Sequence, residues 1–376
     1  MTKALKLLRD LVALPSVNPA FLPDGDPRAG EARVADYLAA VAAKAGLAVE
    51  FQPVQNGRAN LVARYLPSHA ATRRILLAPH LDTVPEADAG QFLPQIKDDR
   101  LYGRGACDTK GSVAAMLTAL QTMVRGKDRP RKTEIIFAGL VDEEFGQAGS
   151  RRLADSGLKA DLAIIGEPTR LRVVTAHKGD AWLELRTRGK AAHGARPELG
   201  RNAVMAMAEV VRCLEIDYAL RLRARRHPLL GTASVNVGCI HGGTQPNIVP
   251  DHCAIKIDRR YLPGETEAGI RREIRLLLRS RGLSAELLEA KAAPCPPMET
   301  NPALPLVRQL MRTTGCELPA GADFFCDAAI IAARGTPAVV FGPGDIAQAH
   351  TASEWISLAQ LENATRILTR FLSAQP

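Results

Sequence analysis

Histidine and acidic side chains recur along this chain where apolar segments end, and these residue types bind divalent metal ions. They are His80 and Asp82 in "LLAPHLDTVP", Asp108 in "GRGACDTKG", Glu143 and Glu144 in "VDEEFG", Glu167 in "IIGEPT" and His350 in "GDIAQAHTASEW". Imidazole nitrogens combined with carboxylate oxygens suit zinc first, with cobalt or manganese as alternatives. Two such ions about 3.5–4 Å apart can share a water and make it a nucleophile at neutral pH. The residue types therefore predict a metal-dependent hydrolase with two ions per chain.

Each of the first three residues, considered alone, allows both a metal-binding and a structural interpretation. His80 and Asp82 are two residues apart at a strand end, so their side chains can share a face. His80 could then bind a metal while Asp82 holds the second ring nitrogen, although a purely structural pair is an equal alternative. Asp108 lies behind the glycines of "GRGAC" and could bridge two ions or simply cap the helix that follows.

The later acidic residues and the second histidine follow the same pattern. Glu143 and Glu144 extend a run of acids after an apolar strand, which is costly to bury unless cations neutralise it. An exposed acidic loop is the alternative. Glu167 follows "LAIIG" at the carboxyl edge of a strand, where open α/β sheets place their sites. His350 alone is better explained as a surface or core histidine, but the candidates together predict one site.

The elements that would position these residues alternate between helices and strands. Residues 1–175 contain amphipathic helices and strands near 48–53, 60–66 and 75–79, followed by apolar runs typical of buried strands. Residues 294–376 return to the same α/β pattern. We therefore predict an α/β catalytic domain, with a mixed sheet flanked by helices, built from both segments.

Residues 176–293 have a different character, because apolar and polar residues alternate as in strands with one face in water. The order of the predicted elements is β-α-β-β-α-β, which is typical of a split βαβ arrangement. This segment is about the minimum size for an independent domain. We predict an α+β domain inserted into the larger domain.

Composition limits the classes of partner. A chain of 376 residues exceeds one typical core, which favours two domains. The net charge of +9 is spread over short runs without interleaved aromatic residues, so no nucleic-acid partner is predicted. A basic surface would favour a small anionic substrate by electrostatic steering.

The cysteines and the N-terminal segment bear on the compartment. The 7 cysteines are odd in number and form no CxxC pair, which favours reduced thiols in a cytoplasm. The N-terminal segment lacks the uninterrupted apolar run of a signal peptide, and no stretch approaches the roughly 18 apolar residues of a membrane span. We expect a cytoplasmic protein with no membrane partner.

Several longer motifs occur together in this chain. They are "GRGACDTKG", "DEE", "GEPT", "GKAAHGARPELGRNA", "QPNIVPD" and "DRRYLPGE". In this combination the chain resembles the di-zinc amidohydrolase and exopeptidase family of acetylornithine deacetylase, succinyl-diaminopimelate desuccinylase, aminoacylase and carboxypeptidase G. The resemblance covers nearly the whole chain. It implies a bilobal fold whose inserted lid domain forms a homodimer.

The resemblance also implies a role for each candidate residue. One Zn²⁺ would be held by His80, Asp108 and Glu167, and the other by His350, Asp108 and Glu144. Asp82 would orient His80, and Glu143 would act as general base and acid. A glutamate at Glu167, rather than an aspartate, is similar to the deacetylase and desuccinylase side of the family.

Three positions in the inserted domain match lid residues of this family. His193 would reach the partner subunit's site and stabilise the oxyanion, although the sequence alone favours a turn histidine. Asn247 and Arg260 would bind a substrate carboxylate or carbonyl. The chain departs from the family at Cys326, where relatives usually have a small residue, often Thr or Ser, before the acid Asp327. That departure bears on substrate contacts, not on the metal ligands.

The predicted reaction is hydrolysis of the amide bond of an N-acylated amino acid by a zinc-activated water. The substrate would be small and anionic or zwitterionic, with N-acetyl amino acids first. One alternative is a dipeptidase or carboxypeptidase acting on small peptides. A more distant alternative is a non-catalytic ligand-binding relative, which should lack a metal ligand or the base, and none is missing here.

Overall fold

The chain forms two compact units, which we describe separately. The computed structural model describes residues 1–55, 57–290 and 293–376. The first unit comprises Met1–Thr175, Thr300–Ala320 and Cys326–Pro376, and the second comprises Ala176–Glu299 and Gly321–Phe325. The sequence-based boundary at residues 293–294 falls before the end of the second unit at Glu299, and the short return at Gly321–Phe325 was not expected.

Helices and strands alternate over the N-terminal part of the chain. The helices are α1 Lys3–Val12, α2 Ala32–Ala43, α3 Lys110–Arg125 and α4 Ala148–Asp155. The strands are β1 Ala48–Gln55, β2 Arg58–Tyr65, β3 Arg73–Ala78, β4 Gln95–Lys97, β5 Arg100–Tyr102, β6 Thr133–Gly139 and β7 Leu162–Ile165. Strand β8, Val174–His177, carries the chain from the first unit into the second.

The remaining elements follow in two groups. The helices after β8 are α5 Ala203–Arg212, α6 Ala219–Arg223 and α7 Glu267–Ser280, with a π-helical segment Cys213–Tyr218 between α5 and α6. The strands of this part are β9 Gly179–Arg188, β10 Arg226–His227, β11 Gly231–Thr232, β12 Ser234–Gly242, β13 His252–Tyr261, β14 Glu286–Glu289 and β15 Met298–Glu299. The C-terminal part contains α8 Pro305–Thr314, β16 Ala320–Ala322, α9 Ala328–Ala333, β17 Ala338–Val340, β18 Trp355–Ser357 and α10 Leu358–Ser373.

A mixed sheet forms the centre of the first unit. Its strands lie in the order β1-β2-β6-β3-β7-β17. The β1/β2 and β2/β6 pairs are antiparallel, whereas β6/β3, β3/β7 and β7/β17 are parallel. Strand β6 is buried at every position, as expected for a central strand covered by helices on both faces. The predicted mixed sheet flanked by helices is confirmed.

Helix α3 is the central helix of this unit. It is buried along most of its length, because it packs against both α1 and α10. Its apolar side chains belong to one continuous core with residues of β3, β6 and α10, including Leu77, Phe137 and Phe371. This packing fixes the start of α3, and therefore the loop before it.

The second unit contains an antiparallel sheet in the order β12-β13-β9-β14. Alternate residues of β9 and β13, such as Leu183, Leu185 and Ile255, are buried in one core with residues of α5 and α7, such as Met207 and Ile274. The main elements follow the predicted order β-α-β-β-α-β, which is confirmed. Within the described ranges 1–55, 57–290 and 293–376, no helix is both long and apolar enough to cross a bilayer.

Candidate metal centre

The central parallel strands deliver four of the candidate residues to one edge of the sheet. His80 lies just beyond β3, and Glu167 lies just beyond β7. Glu143 and Glu144 follow β6, on the other side of β3. Because the carboxyl ends of parallel strands meet at the same edge, the side chains of these residues converge there.

Asp108 and His350 come from two loops and complete the cluster. The Asp108 Oδ1 atom lies 3.1 Å from His80 Nε2, and its Oδ2 atom lies 3.4 Å from His350 Nε2. Glu167 Oε1 is 3.7 Å from His80 Nε2, and Glu144 Oε2 is 3.1 Å from His350 Nε2. Each oxygen of Asp108 therefore faces a different imidazole.

Three of these side chains offer closely spaced ligand atoms. His80, Asp108 and Glu144 each offer a ligand atom, and these atoms all lie within 4.8 Å of one another. The N-cap of α3 is Thr109, not Asp108, so the capping alternative for Asp108 is wrong. The Asp108 carboxylate faces the two histidines instead of the helix.

Asp82 lies behind His80 and connects it to the acidic turn. His80 Nδ1 is 3.0 Å from the Asp82 carbonyl oxygen and 3.4 Å from its Oδ1 atom. Since both neighbours are acceptors, Nδ1 carries a proton that it donates to Asp82. Asp82 also accepts hydrogen bonds from the backbone N–H groups of Glu143 and Glu144, each at 3.1 Å.

The acidic side chains are crowded in a buried position. Burial raises the pKa of the Glu143 carboxyl well above its usual range, and it does the same for Glu167. Burial and the nearby charge of Asp108 raise the pKa of Glu144 to about 7. These directions show that negative charge accumulates here without enough positive charge from the surrounding side chains.

Three further observations indicate that the cluster favours a cation. Hydrogen bonds to Asp108 and Glu144 raise the pKa of His350 to about 10. Burial opposes ionisation of Asp108, but hydrogen bonds with His350 and His80 outweigh it and hold the pKa of this carboxyl below its usual range. The Glu144 Oε1 atom is buried and, in the part of the chain that the structure describes, has no hydrogen-bond partner. The residues present thus fit divalent cations, which supply positive charge and take oxygen ligands.

Residues that were not predicted from the sequence form a hydrogen-bond network that includes Asp82. Asn18 donates its Nδ2 protons to Asp82 Oδ2 at 2.8 Å and to Asp142 Oδ1 at 3.0 Å. Asp142 also accepts a hydrogen bond from Arg58 at 2.9 Å, and Arg58 pairs with the buried Glu31. The only sequence signal for this network was the position of Asp142 in the "DEE" run. Asn18 gave none, because nothing local links it to residues far along the chain.

Cys326, where the chain departs from the family, lies two residues before α9 and is 1% exposed. Burial raises the pKa of its thiol well above the usual range. Its neighbour Asp327 accepts a hydrogen bond from Ser150, and burial raises the pKa of Asp327 to about 7. The thiol is therefore a buried, protonated group within the first unit.

The residues assigned to the lid lie in the second unit. His193 and Asn247 are exposed and adjacent, since the Gly194 N–H donates to the Asn247 carbonyl at 2.7 Å. Arg260 lies on β13, where its Nε atom is 3.0 Å from Asp258. The structure therefore brings His193 and Asn247 together, but it places Arg260 in an ion pair of its own.

Known proteins resemble this chain over most of its length. Residues 76–374 match peptidase family M20/M25/M40. The chain belongs to this family. It is 32% identical over 383 residues to an acetylornithine deacetylase of Edwardsiella ictaluri (strain 93-146), covering 98% of this chain and 96% of that protein. It is 31% identical over 350 residues to an acetylornithine deacetylase of Myxococcus xanthus, covering 89% and 90%.

A solved structure has the same fold. The M20 family metallo-carboxypeptidase of Sulfolobus solfataricus matches with a TM-score of 0.78 and 20% identity, covering 99% of both chains. The resemblance inferred from the motifs is thus confirmed, and the chain is a hydrolytic enzyme of the M20 family. Membership among these enzymes disfavours the non-catalytic alternative.

Proposed function

We propose that this M20 enzyme hydrolyses the amide bond of an N-acylated amino acid, with an acetyl group as the leading acyl group. The observation that carries the metal-dependent chemistry is the cluster of His80, Asp108 and Glu144, whose ligand atoms lie within 4.8 Å. The relatives that are acetylornithine deacetylases support the choice of substrate class. A small anionic or zwitterionic substrate also suits a chain with a net charge of +9.

Two divalent ions, zinc first, are the proposed cofactor. His80, Asp108 and Glu167 would hold one ion, and His350, Asp108 and Glu144 would hold the other. Asp108 Oδ1 lies 3.1 Å from His80 Nε2, and Asp108 Oδ2 lies 3.4 Å from His350 Nε2, which supports Asp108 as a shared ligand. The unpaired buried oxygen of Glu144, among the described residues, supports a cation at the second position. Nitrogen with carboxylate ligands favours zinc, with cobalt or manganese as alternatives.

The side chains divide the proton chemistry between them. When bound, two divalent ions supply charge that polarises a carbonyl and lowers the pKa of water. Glu143 is the proposed general base, and it returns the proton to the leaving amine as general acid. The raised pKa of Glu143 suits this role, because burial stabilises the protonated carboxyl that forms when Glu143 takes up a proton. Asp82 keeps His80 in the tautomer whose Nε2 is a ligand, and it anchors the backbone of Glu143.

The second unit supplies the proposed substrate contacts. His193 Nδ1 accepts a hydrogen bond from the Ala195 N–H at 3.1 Å, so the neutral ring keeps its proton on Nε2. The Nε2–H group of His193 is the oxyanion donor that we propose. Asn247 and Arg260 would bind the substrate carboxylate or carbonyl. Arg260 must then share its charge with Asp258, which lies 3.0 Å away.

We further propose that the enzyme is a cytoplasmic homodimer in which His193 serves the partner's site. Among the described residues, strand β12 lies at the edge of its sheet beside β13, and its residues are mostly exposed. An exposed edge offers unpaired backbone groups to a second copy, and Ile240 on this strand is 52% exposed. The odd number of cysteines without a CxxC pair supports a reducing compartment.

A substrate panel tests the proposed function. The purified protein, supplied with zinc, cobalt or manganese, is assayed for release of free amine from N-acetyl amino acids, N-succinyl amino acids and dipeptides. We expect the highest kcat/KM with an N-acetyl amino acid. Preference for dipeptides would support the dipeptidase or carboxypeptidase alternative. Failure to cleave any amide with all three metals would contradict the proposal.

A further inference from the structure

Glu354 is a buried acid that the proposed chemistry does not use. It lies directly before β18 and is 1% exposed. Its Oε2 atom accepts hydrogen bonds from Arg104 Nη1 at 2.7 Å and from the Gly105 N–H at 3.0 Å. Its Oε1 atom accepts from the N–H groups of Cys107 at 2.8 Å and Asp108 at 3.0 Å. All of these donors belong to the loop that ends at Asp108.

The backbone around Glu354 reinforces the same connection. The Gly103 N–H donates to the Glu354 carbonyl at 3.0 Å, where β18 and β5 pair with Trp355 opposite Tyr102. Glu354 is also in the loop that carries His350, four positions earlier in the chain. The loop of His350 and the loop of Asp108 are therefore joined through one buried side chain.

We propose that Glu354 is a positioning residue that fixes Asp108 and His350 relative to each other and so sets the affinity for the ion they share. This inference rests on the proposed metal ligands. The side chain of Glu354 accepts hydrogen bonds from Arg104 and from backbone N–H groups, so it acts through the backbone that presents the ligands. The other proposed ion also uses His80 and Glu167, which follow β3 and β7 and have no hydrogen bond to Glu354. Its affinity should depend less on this residue.

The hydrogen-bond chemistry explains why a carboxylate is required here. Both Glu354 oxygens face only N–H donors, and a carboxylate is the side chain that accepts at both ends. In Glu354→Gln, one oxygen becomes an NH₂ group that points at two N–H donors. The loop must then move, and Asp108 moves with it. Loss of an outer partner of a metal ligand typically lowers metal affinity by about 10–100-fold.

The experiment compares metal affinity across matched variants of the full chain. The two dissociation constants for zinc are measured by competition with a chromophoric chelator, and the cobalt-loaded protein is followed by its absorption spectrum. The test variants are Glu354→Gln and the shorter Glu354→Asp. The control is Glu134→Gln, because Glu134 is also buried in the first unit and pairs with Arg64 at 3.0 Å and Arg74 at 2.7 Å.

We expect Glu354→Gln to weaken the binding of one zinc ion by about 10–100-fold and to affect the other ion less. The affinity of Glu354→Asp should lie between those of Glu354→Gln and the unsubstituted protein. Glu134→Gln should leave both constants unchanged, even if it lowers the thermal midpoint measured in chelator. The cobalt spectrum should change in Glu354→Gln and stay unchanged in Glu134→Gln. Rescue of affinity by the aspartate relative to the glutamine would show that a negative acceptor is needed.

Three outcomes would overturn the inference. The first is a folded Glu354→Gln protein with zinc constants equal to those of the unsubstituted chain. The second is an equal loss of metal affinity in Glu134→Gln, which would indicate a general stability effect. The third applies if Glu354→Gln does not fold, and it is a Glu354→Asp protein whose zinc dissociation constants equal those of the unsubstituted chain. Failure of the metal assignment itself is distinguishable, because the double variant His80→Ala/Glu144→Ala would then bind zinc as tightly as the unsubstituted chain.

Discussion

Substitution of Asp82 tests whether its hydrogen bonds hold His80 and the acidic turn in place. It is 0% exposed, and its two oxygens accept the backbone N–H groups of Glu143 and Glu144, while Oδ2 also accepts from Asn18. In Asp82→Asn, an NH₂ group replaces one of these oxygens. Whichever oxygen is replaced, one buried backbone N–H loses its acceptor, which costs about 1–3 kcal/mol of folding free energy.

The same substitution should also reach the metal. His80 Nδ1 would lose a charged neighbour at 3.4 Å, so the ring orientation would be less fixed. Loss of such a partner lowers metal affinity by about 10–100-fold. The assays are urea unfolding in the presence of chelator and zinc competition with a chromophoric chelator. Both the free energy of unfolding and the zinc affinity should be lower in Asp82→Asn than in the unsubstituted protein.

Asp10→Asn is the matched control. Asp10 accepts hydrogen bonds from Tyr37 and Lys6, and its side chain is 35% exposed. A surface pair of this kind contributes at most about 1 kcal/mol, and zinc affinity should not change. If Asp82→Asn kept the zinc affinity of the unsubstituted protein, the account of how His80 is oriented would be refuted.

Three other predictions address pH, subunit exchange and metal removal. Burial lowers the pKa of His177 to about 4, so on acidification the unfolded chain takes up the proton first. The His177 contribution to the free energy of unfolding is therefore complete above about pH 6.5 and is lost as the pH falls towards 4. Urea unfolding should show this loss of stability, and the loss should be smaller in His177→Gln. Glu143→Ala and His193→Ala, each inactive alone, should regain partial activity when refolded together; a mixture that stays inactive although heterodimers form would exclude His193 acting in trans. Chelator should abolish amide hydrolysis and zinc, cobalt or manganese should restore it, whereas activity that persists in fully metal-depleted protein would contradict the metal requirement.

The strand ends were predictable because burial leaves a strong local signal. Apolar runs that stop at a histidine or an acid marked the positions of His80, Glu143 and Glu167, and the structure places these at adjacent parallel strands. The parallel order brings together residues that are far apart in the chain. The metal-binding roles of His80 and Glu167 and the proton-transfer role of Glu143 remain predictions.

The supporting residues were not predictable, because their roles depend on backbone groups of distant segments. Asn18 and Glu354 act on segments more than 60 and 240 residues away in the chain, as the separations of 64 and 246 show. No periodicity or spacing encodes such a partner. The return of Gly321–Phe325 to the second unit was missed for the same reason, since five residues carry no compositional signature of their own.

The capping interpretation of Asp108 shows where a local rule fails. An acid before a helical segment is a typical N-cap, and the pattern permitted it. In the structure the N-cap is Thr109, and the Asp108 carboxylate faces His80 and His350. Its backbone N–H is satisfied by Glu354, so the loop does not need the Asp108 side chain for its own structure.

Turnover by Glu143→Gln is the most direct test of the central claim, that this cluster is a metal centre at which Glu143 moves the proton during amide hydrolysis. The variant and the unsubstituted enzyme are compared for metal content by mass spectrometry and for kcat on an N-acetyl amino acid. We predict unchanged metal content and a kcat lower by about 10²–10⁴-fold, as expected for loss of an acid–base group. A kcat equal to that of the unsubstituted enzyme, at equal metal content, would contradict the account.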